Sequence, residues 1–136
     1  MRRVHATAVA VGRKGILLRG PSGSGKSDLA LRLIDGGARL IADDVVEISR
    51  QGRLIVLRAP GALKGKMEVR GVGIVAAPAA ARANLALVVD LVGSDAVERL
   101  PESESVTLLG IKVKRLKLWA FEGSAPAKLR LAVRGH

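Results

Sequence analysis

One stretch of the sequence has the residue types and the spacing of a phosphate-binding loop. Residues 20–27 read Gly-Pro-Ser-Gly-Ser-Gly-Lys-Ser and match the pattern G-x-x-x-x-G-K-[ST] without a gap. Glycines let backbone N–H groups converge on an anion, Lys26 supplies a mobile positive charge, and the Ser27 hydroxyl can ligate Mg²⁺. We therefore expect the following residues to bind the phosphates of a nucleotide: Gly20, Pro21, Ser22, Gly23, Ser24, Gly25, Lys26 and Ser27.

The segments on either side of this loop favour the phosphate-binding interpretation. Residues 16–19 form an apolar, strand-like run, and residues 27–35 place apolar side chains at i, i+4 spacing before Gly36 and Gly37, which end a helix. A helix that begins at the loop directs its positive end and its unpaired N–H groups at a bound phosphate. A flexible linker is the alternative for a stretch so rich in glycine and serine.

Carboxylates at two places could act on a bound nucleotide. Asp43 and Asp44 follow an apolar strand, residues 39–42, directly after the predicted helix, and Asp90 lies in a second apolar strand. Because successive side chains of an extended chain point in opposite directions, one member of the Asp43–Asp44 pair can face the nucleotide while the other serves structure. A carboxylate near the last phosphate can accept the proton of an attacking hydroxyl as a general base. Asp90 is either a metal carboxylate or a structural carboxylate at a cap or a sheet edge.

The rest of the chain predicts an α/β fold with a mixed β-sheet. Residues 5–11 and 16–19 should form one hairpin and residues 45–49 and 54–57 another. Further strands are expected at 85–92 and at 106–118, which breaks at Gly110, and weaker helical patterns lie at 94–100 and 126–134. Strands and helices alternate only partly, which disfavours a doubly wound parallel sheet. Neither a repeat nor a boundary divides residues 1–136, so we expect one domain.

Composition indicates a soluble protein of the cytoplasm. Of the 136 residues, 49% are hydrophobic and 26% are charged, as in ordinary globular domains. The absence of cysteine excludes disulfides and thiolate zinc sites and fits a reducing compartment. The longest apolar stretch contains Pro78 and is about half a membrane span long, and the N-terminal residues lack the apolar core of a signal peptide.

A net charge of +11 points to negatively charged partners. Lysine and arginine are spread along the chain, which suits either a solvated basic surface or the recognition of phosphates and an acidic protein. Trp119 and Phe121 are the only aromatic residues, too few for a base-stacking platform of the kind that binds single-stranded nucleic acid. Nucleic acid is therefore a disfavoured partner.

Two blocks of sequence resemble the HPr kinase/phosphorylase family. The first combines the loop at 20–27 with Arg-Leu-Ile-Ala-Asp-Asp at 39–44, and the second, Met-Glu-Val-Arg-Gly-Val-Gly-Ile-Val at 67–75, is similar to the family signature E-V-R-G-x-G-I. His5 precedes the loop as a histidine does in the family. The resemblance covers residues 5 to about 100 and looks like the short, proteobacterial form, which lacks the N-terminal domain of longer members.

This resemblance implies a serine kinase of the bacterial phosphotransferase system. Members use ATP and Mg²⁺ to phosphorylate a seryl hydroxyl of the phosphocarrier protein HPr or of its nitrogen-branch relative, and many reverse the reaction by phosphorolysis. Their domain is a P-loop kinase fold with a mixed sheet, akin to phosphoenolpyruvate carboxykinase, and they are commonly hexamers. The family segment R-P-G-R-N, linked to dephosphorylation, is not recognisable at residues 121–125, so we expect the kinase direction. Two alternatives remain. The protein could be a small-molecule P-loop kinase with residues 59–75 as its lid, or a regulatory nucleotide-binding module without catalysis.

The same resemblance implies a role for each matching residue. Lys26 corresponds to the lysine of the phosphate loop, Ser27 and Glu68 to the metal ligands, and Asp44 to the catalytic aspartate, with Asp43 beside it. His5 corresponds to a histidine near that aspartate, Arg70 to a residue of the phosphate site or partner interface, and Arg99 to a catalytic arginine followed by leucine. Two positions depart from the family pattern, Pro21 and Asp28, and Pro21 removes one N–H donor from the loop.

Overall fold

The computed structural model describes residues 1–134 as eleven β-strands and two α-helices. Neither helix is long and apolar enough to cross a membrane. In chain order the elements are β1 (Arg2–His5), β2 (Thr7–Val11), β3 (Lys14–Arg19), α1 (Lys26–Asp35), β4 (Arg39–Ala42), β5 (Val45–Gln51), β6 (Leu54–Arg58), β7 (Lys66–Val69), β8 (Gly73–Ala76), β9 (Ala83–Leu91), β10 (Glu104–Leu108), β11 (Ile111–Leu118) and α2 (Ala125–Arg134). Short 3₁₀ turns lie at Gly61–Leu63 and Ser94–Ala96.

Nine of the strands form one mixed sheet. Its order is β1-β5-β6-β9-β3-β2-β4. Past the point where β6 pairs with β9, β11 pairs with β9 in parallel, and β10 pairs with β11. The chain turns a corner twice at the same place, since β1 runs into β2 through Ala6 and β4 runs into β5 through Asp43 and Asp44. β1 pairs with β5, whereas β2 pairs with β3 and β4. The sheet therefore curls, with this double corner at the end of β3.

Alternating side chains along the central strands fill two hydrophobic cores. Ile16 and Leu18 of β3 face one side of the sheet, and Leu17 faces the other. The first core lies beneath the helices, and the second fills the inside of the curl. Members of the first include Leu29, Leu33, Leu87, Val89 and Leu129, and members of the second include Ile48, Leu57, Val88 and Val113. This alternation fixes the register of β3, which delivers the loop at 20–27.

The structure confirms most of the predicted elements, corrects one and adds a hairpin. The two predicted hairpins, the helix after the loop, the strand at 85–92 and the helix at 126–134 are all present. The helix predicted at 94–100 is wrong, because only the turn at Ser94–Ala96 forms and Pro101 follows closely. The β7–β8 hairpin, for which the sequence predicted no element, forms within residues 66–76 from two strands of only four residues each.

Asp90 joins three neighbouring strands through ion pairs. Its carboxylate, on β9, accepts two hydrogen bonds from Arg19 of β3, at 2.8 and 2.9 Å, and another from Arg115 of β11. Arg115 also donates to Glu104 of β10, at 2.6 Å. Burial acts to raise the pKa of Asp90, but the hydrogen bonds from Arg19 and Arg115 outweigh it and hold this pKa below its ordinary value. Of the two possibilities that the sequence left open, the structure thus favours a structural carboxylate, which braces β3 one residue before the loop.

Replacing Asp90 with asparagine should destabilise the protein at neutral pH. Asp90→Asn leaves the half-buried Arg19 without its counter-charge and Arg115 with Glu104 alone, and we expect the free energy of unfolding to fall by about 1–3 kcal/mol in urea denaturation. Because the folded-state pKa lies below the ordinary value of 3.8, the stabilisation is complete above that pH and is lost as the pH falls through the folded-state value. The difference between wild type and variant should therefore shrink in acid. An equal loss in Glu102→Gln, an exposed control, would contradict this account.

Candidate functional site

A cleft of about 1120 Å³ opens where β3 ends. Because β4 runs parallel to β3, and β2 lies antiparallel between them, the loop after β3, the corner after β4 and the start of β2 meet at one edge of the sheet. The β7–β8 hairpin covers the opposite side. The lining includes seven of the eight loop residues, all but Ser24, together with His5, Thr7, Asp44, Glu68 and Arg70.

The loop closes on itself through the carbonyl of Pro21. Ser24 N–H donates to Pro21 O at 3.0 Å, which completes a tight turn, and Lys26 Nζ donates to the carbonyls of Gly20 and Pro21 at 2.6 and 3.1 Å. Pro21 is the first residue of this turn, which uses its carbonyl and needs no N–H from it. The departure from the family pattern at Pro21 therefore removes one N–H donor from the loop and leaves this turn intact. The hydroxyl of Ser24 is buried without a hydrogen-bond partner among the described residues, and it lies away from the cleft.

Two glycines give the loop the curvature of an anion cradle. Gly23 and Gly25 have φ of +85° and +96°, in the left-handed region that favours glycine. A Cβ at Gly25 would also lie 2.7 Å from Ala120 Cβ, so only glycine fits against the segment that follows β11. The first backbone bond of α1 runs from Leu29 N–H to Gly25 O at 2.9 Å, which leaves the preceding N–H groups outside the helical ladder. These features fit the phosphates of a nucleotide.

A partly buried chain of one carboxylate and two hydroxyls connects the loop to the sheet. Asp43 Oδ1 accepts hydrogen bonds from Ser27 Oγ at 2.7 Å and from Thr7 Oγ1 at 3.1 Å. Since Ser27 donates its proton to Asp43, the lone pairs of its oxygen remain available to a cation. The described residues contain no group of three or more histidine, aspartate or glutamate side chains that could hold a metal ion. A serine hydroxyl with a nearby carboxylate is nonetheless a suitable donor set for Mg²⁺, which takes few protein ligands and completes its shell with water and substrate phosphates.

Asp44 occupies a strained turn that separates it from Asp43. Its φ is +71°, and Val45 N–H donates to Asp43 O at 2.9 Å, the pattern of a γ-turn with positive φ. Ala6 N–H fixes the turn by donating to Asp44 O at 3.2 Å. The two carboxylates do part as predicted, but a reversal of the chain, and not the alternation of an extended strand, separates them. Asp43 is bonded to Ser27, while Asp44 is exposed and lines the cleft.

The other residues singled out in the sequence are divided between the cleft and the surface. His5 ends β1 opposite Val45, the last residue of the γ-turn, and lines the cleft. Glu68 and Arg70 also line it, because Met67 is buried in the core beneath the helices and turns the neighbouring Glu68 outward. Arg99 is exposed between the turn at Ser94–Ala96 and β10 and is not among the lining residues.

Sequence reasoning missed two residues of the site. Thr7 is the one fully buried polar side chain among the described residues, and a lone hydroxyl in an apolar strand was a signal that could have found it. Phe121 lines the cleft beside Gly25, although it lies far from the loop in sequence. Only the parallel pairing of β11 with β9 brings it to this edge, so the sequence offered no signal beyond the rarity of aromatic residues.

Comparison with known proteins gives one consistent family. The model of the HPr serine kinase C-terminal domain matches residues 1–132. The HPr kinase/phosphorylase of Clostridium acetobutylicum is 36% identical over 127 residues, which cover 85% of this chain and 42% of that protein. The enzyme of the same name from Peptoclostridium acidaminophilum is 50% identical over 74 residues, 54% of this chain and 24% of that protein. The chain thus spans less than half the length of these relatives.

A solved structure supports the fold. The HPr(Ser) kinase/phosphatase of Coxiella burnetii superposes with a TM-score of 0.88 at 24% sequence identity, covering 100% of this chain and 90% of the other. At this level of identity the likeness concerns the fold alone. It confirms the predicted α/β class with a mixed sheet.

The two left-handed glycines of the loop provide a matched pair of variants. Gly23→Ala places a Cβ in open space and should cost only the left-handed backbone strain, about 1–2 kcal/mol in the free energy of unfolding. Gly25→Ala adds a collision with Ala120, and we expect a further loss of about 1–3 kcal/mol. Urea denaturation of both variants measures the difference. Equal losses in the two variants would show that the contact between Gly25 and Ala120 imposes no constraint.

Proposed function

Because the chain belongs to the HPr serine kinase C-terminal domain family, we propose that it transfers the γ-phosphoryl group of ATP to a serine hydroxyl of an HPr-type phosphocarrier protein. The carrier is HPr itself or its nitrogen-branch relative. The observation that carries the proposal is the position of Asp44, an exposed carboxylate that lines the same cleft as the phosphate loop. A base placed beside bound phosphates is what the transfer to a hydroxyl requires.

In the proposed reaction, each group of the cleft has one task. The backbone of residues 20–27 and Lys26 hold the triphosphate and offset the charge that develops on its oxygens. Asp44 accepts the proton of the substrate serine as that oxygen forms a bond to the γ-phosphorus. The bond between the γ-phosphorus and the bridging oxygen breaks, and ADP leaves. His5, beside the Asp44 turn, would assist in placing this carboxylate.

We assign the metal ligands to Ser27 and Glu68. Asp43 would orient Ser27 by accepting its proton, as its hydrogen bond at 2.7 Å supports. Mg²⁺, when bound, would neutralise the negative charge of the phosphate oxygens. Arg70 lies at the tip of the β7–β8 hairpin, where it would meet either the phosphates or the carrier protein. Arg99 has its proposed catalytic role from the family resemblance alone.

The surface around the cleft suits a protein substrate. Val72 and Ile74 of the β7–β8 hairpin line the cleft and are 73% and 75% exposed. The net charge of +11 favours an acidic partner. Transfer should accordingly slow as the salt concentration rises.

We further propose that residues 1–136 act as a single catalytic domain, since the two cores share the strands of one sheet, and that the protein is a homo-oligomer, a hexamer by its family.

Replacing Asp44 with asparagine should separate nucleotide binding from transfer. Asparagine tolerates the positive φ of this position, so the γ-turn should survive while the base is lost. We expect Asp44→Asn to bind ATP as the wild type does and to transfer phosphate about 10²–10⁴-fold more slowly. Labelled ATP, purified HPr-type protein and identification of the labelled residue provide the measurement.

Asp95→Asn, an exposed aspartate outside the cleft, is the matched control and should transfer at the normal rate. Normal transfer by Asp44→Asn would refute the assignment of the base. ATP binding by the wild type without label on any carrier serine would refute the kinase proposal and favour a nucleotide-binding module. Incubation of the phosphorylated carrier with inorganic phosphate tests the reverse direction.

A further inference from the structure

Phe121 lies on the opposite side of the phosphate loop from the carboxylates. The strand order around the loop is β4-β2-β3-β9, with β11 next to β9. Asp43 and Asp44 follow β4 on one side of β3, and Phe121 follows β11 on the other. The ring is 54% exposed and lines the cleft. The cleft therefore has an acidic end and an aromatic end, with the loop between them.

The segment that carries Phe121 is held rigidly against the loop. Arg32 of α1 donates hydrogen bonds to the carbonyls of Ala120 and Glu122, the residues on either side of Phe121, the second at 3.2 Å. Asp28 fixes the same guanidinium at 2.8 Å. Both the ring of Phe121 and the side chain of Ala120 approach Gly25 so closely that a Cβ there would lie 3.1 Å from the ring and 2.7 Å from Ala120. Arg32 is thus a positioning residue for an exposed ring.

An exposed aromatic ring in this place needs a reason. Trp119 and Phe121 are the only aromatic residues of the chain, and Trp119 meets the Phe121 ring edge-on, with centroids 6.5 Å apart and planes at 73°. This contact supports one edge of the ring, while Phe121 stays 54% exposed and lines the cleft. Because an exposed ring gains little in water, the arrangement suits a flat ligand that stacks on it.

We propose that Phe121 is the stacking platform for the purine base of the nucleotide, an inference that rests on the proposed use of ATP. If the triphosphate lies on residues 20–27 with its transferred end toward Asp44, the nucleoside extends toward the other end of the cleft, where Phe121 lies. Stacking on an aromatic ring recognises the π-face that every base has. The ring pre-positioned by Arg32 loses little conformational freedom when the base binds.

Two ligands distinguish the contribution of the base to binding from the contribution of the phosphates. We expect Phe121→Ala to bind ATP roughly 5- to 150-fold more weakly than the wild type, the range that corresponds to the loss of one stacked base. The same variant should bind inorganic tripolyphosphate, which has no base, as tightly as the wild type does. Isothermal titration calorimetry with each ligand gives both dissociation constants. Equal affinity of variant and wild type for ATP, or an equal loss for the two ligands, would overturn the proposal.

Two further variants and one spectroscopic signal keep the test independent of folding. Phe121→Leu keeps an apolar side chain of similar reach without a π-face and should lose ATP affinity, whereas Phe121→Tyr should keep it. Trp119 is the only tryptophan, so its fluorescence should change when ATP binds to the wild type and stay unchanged with tripolyphosphate. A full loss in Phe121→Tyr, or no selective change in Trp119, would count against stacking. None of these measurements involves a carrier protein, so this inference can fail while serine transfer is observed, and serine transfer can fail while stacking is observed.

Discussion

The site depends on one carboxylate that accepts hydrogen bonds from two hydroxyl groups. Asp43 accepts from Thr7, which belongs to the sheet, and from Ser27, which belongs to the phosphate loop and the first turn of α1. This shared acceptor ties the position of the loop to the double corner of the sheet. It also takes the proton of Ser27, so that the lone pairs of that oxygen remain available to a cation. The strained turn at Asp44 follows from the same constraint, because the chain must reverse immediately after Asp43 to enter β5.

The rest of the fold holds this corner and the loop in register from both sides. On one side, the curl of the sheet brings β1 and His5 alongside the Asp44 turn. On the other, the ion pairs of Asp90 with Arg19 and Arg115 tie the end of β3 to β9 and β11. β11 then carries Phe121 to the far end of the cleft, and Arg32 fixes it there. Two independent braces thus define the acidic and the aromatic end of one cleft.

Local patterns accounted for what the sequence could predict, and topology accounted for the rest. The loop at 20–27, the helix after it and the two hairpins depend on residues close together in the chain, and all were predicted. The γ-turn at Asp44 could not be, since it arises where two strand pairs exchange partners. Phe121 enters the cleft only because the distant strand β11 pairs with β9, and Thr7, in the predicted hairpin, lies near Asp43 only because β2 also pairs with β4. The β7–β8 hairpin escaped prediction because four residues per strand leave little room for a visible alternation.

A double-mutant cycle on Ser27 and Asp43 tests most directly whether the shared carboxylate organises the site. The quantity to measure is the affinity for ATP in the presence of Mg²⁺, in Ser27→Ala, Asp43→Ala and the double variant. If Asp43 acts by orienting Ser27, each single change weakens binding and the double variant binds no more weakly than the poorer single variant. Strictly additive losses would show that the two residues act independently and would contradict this account.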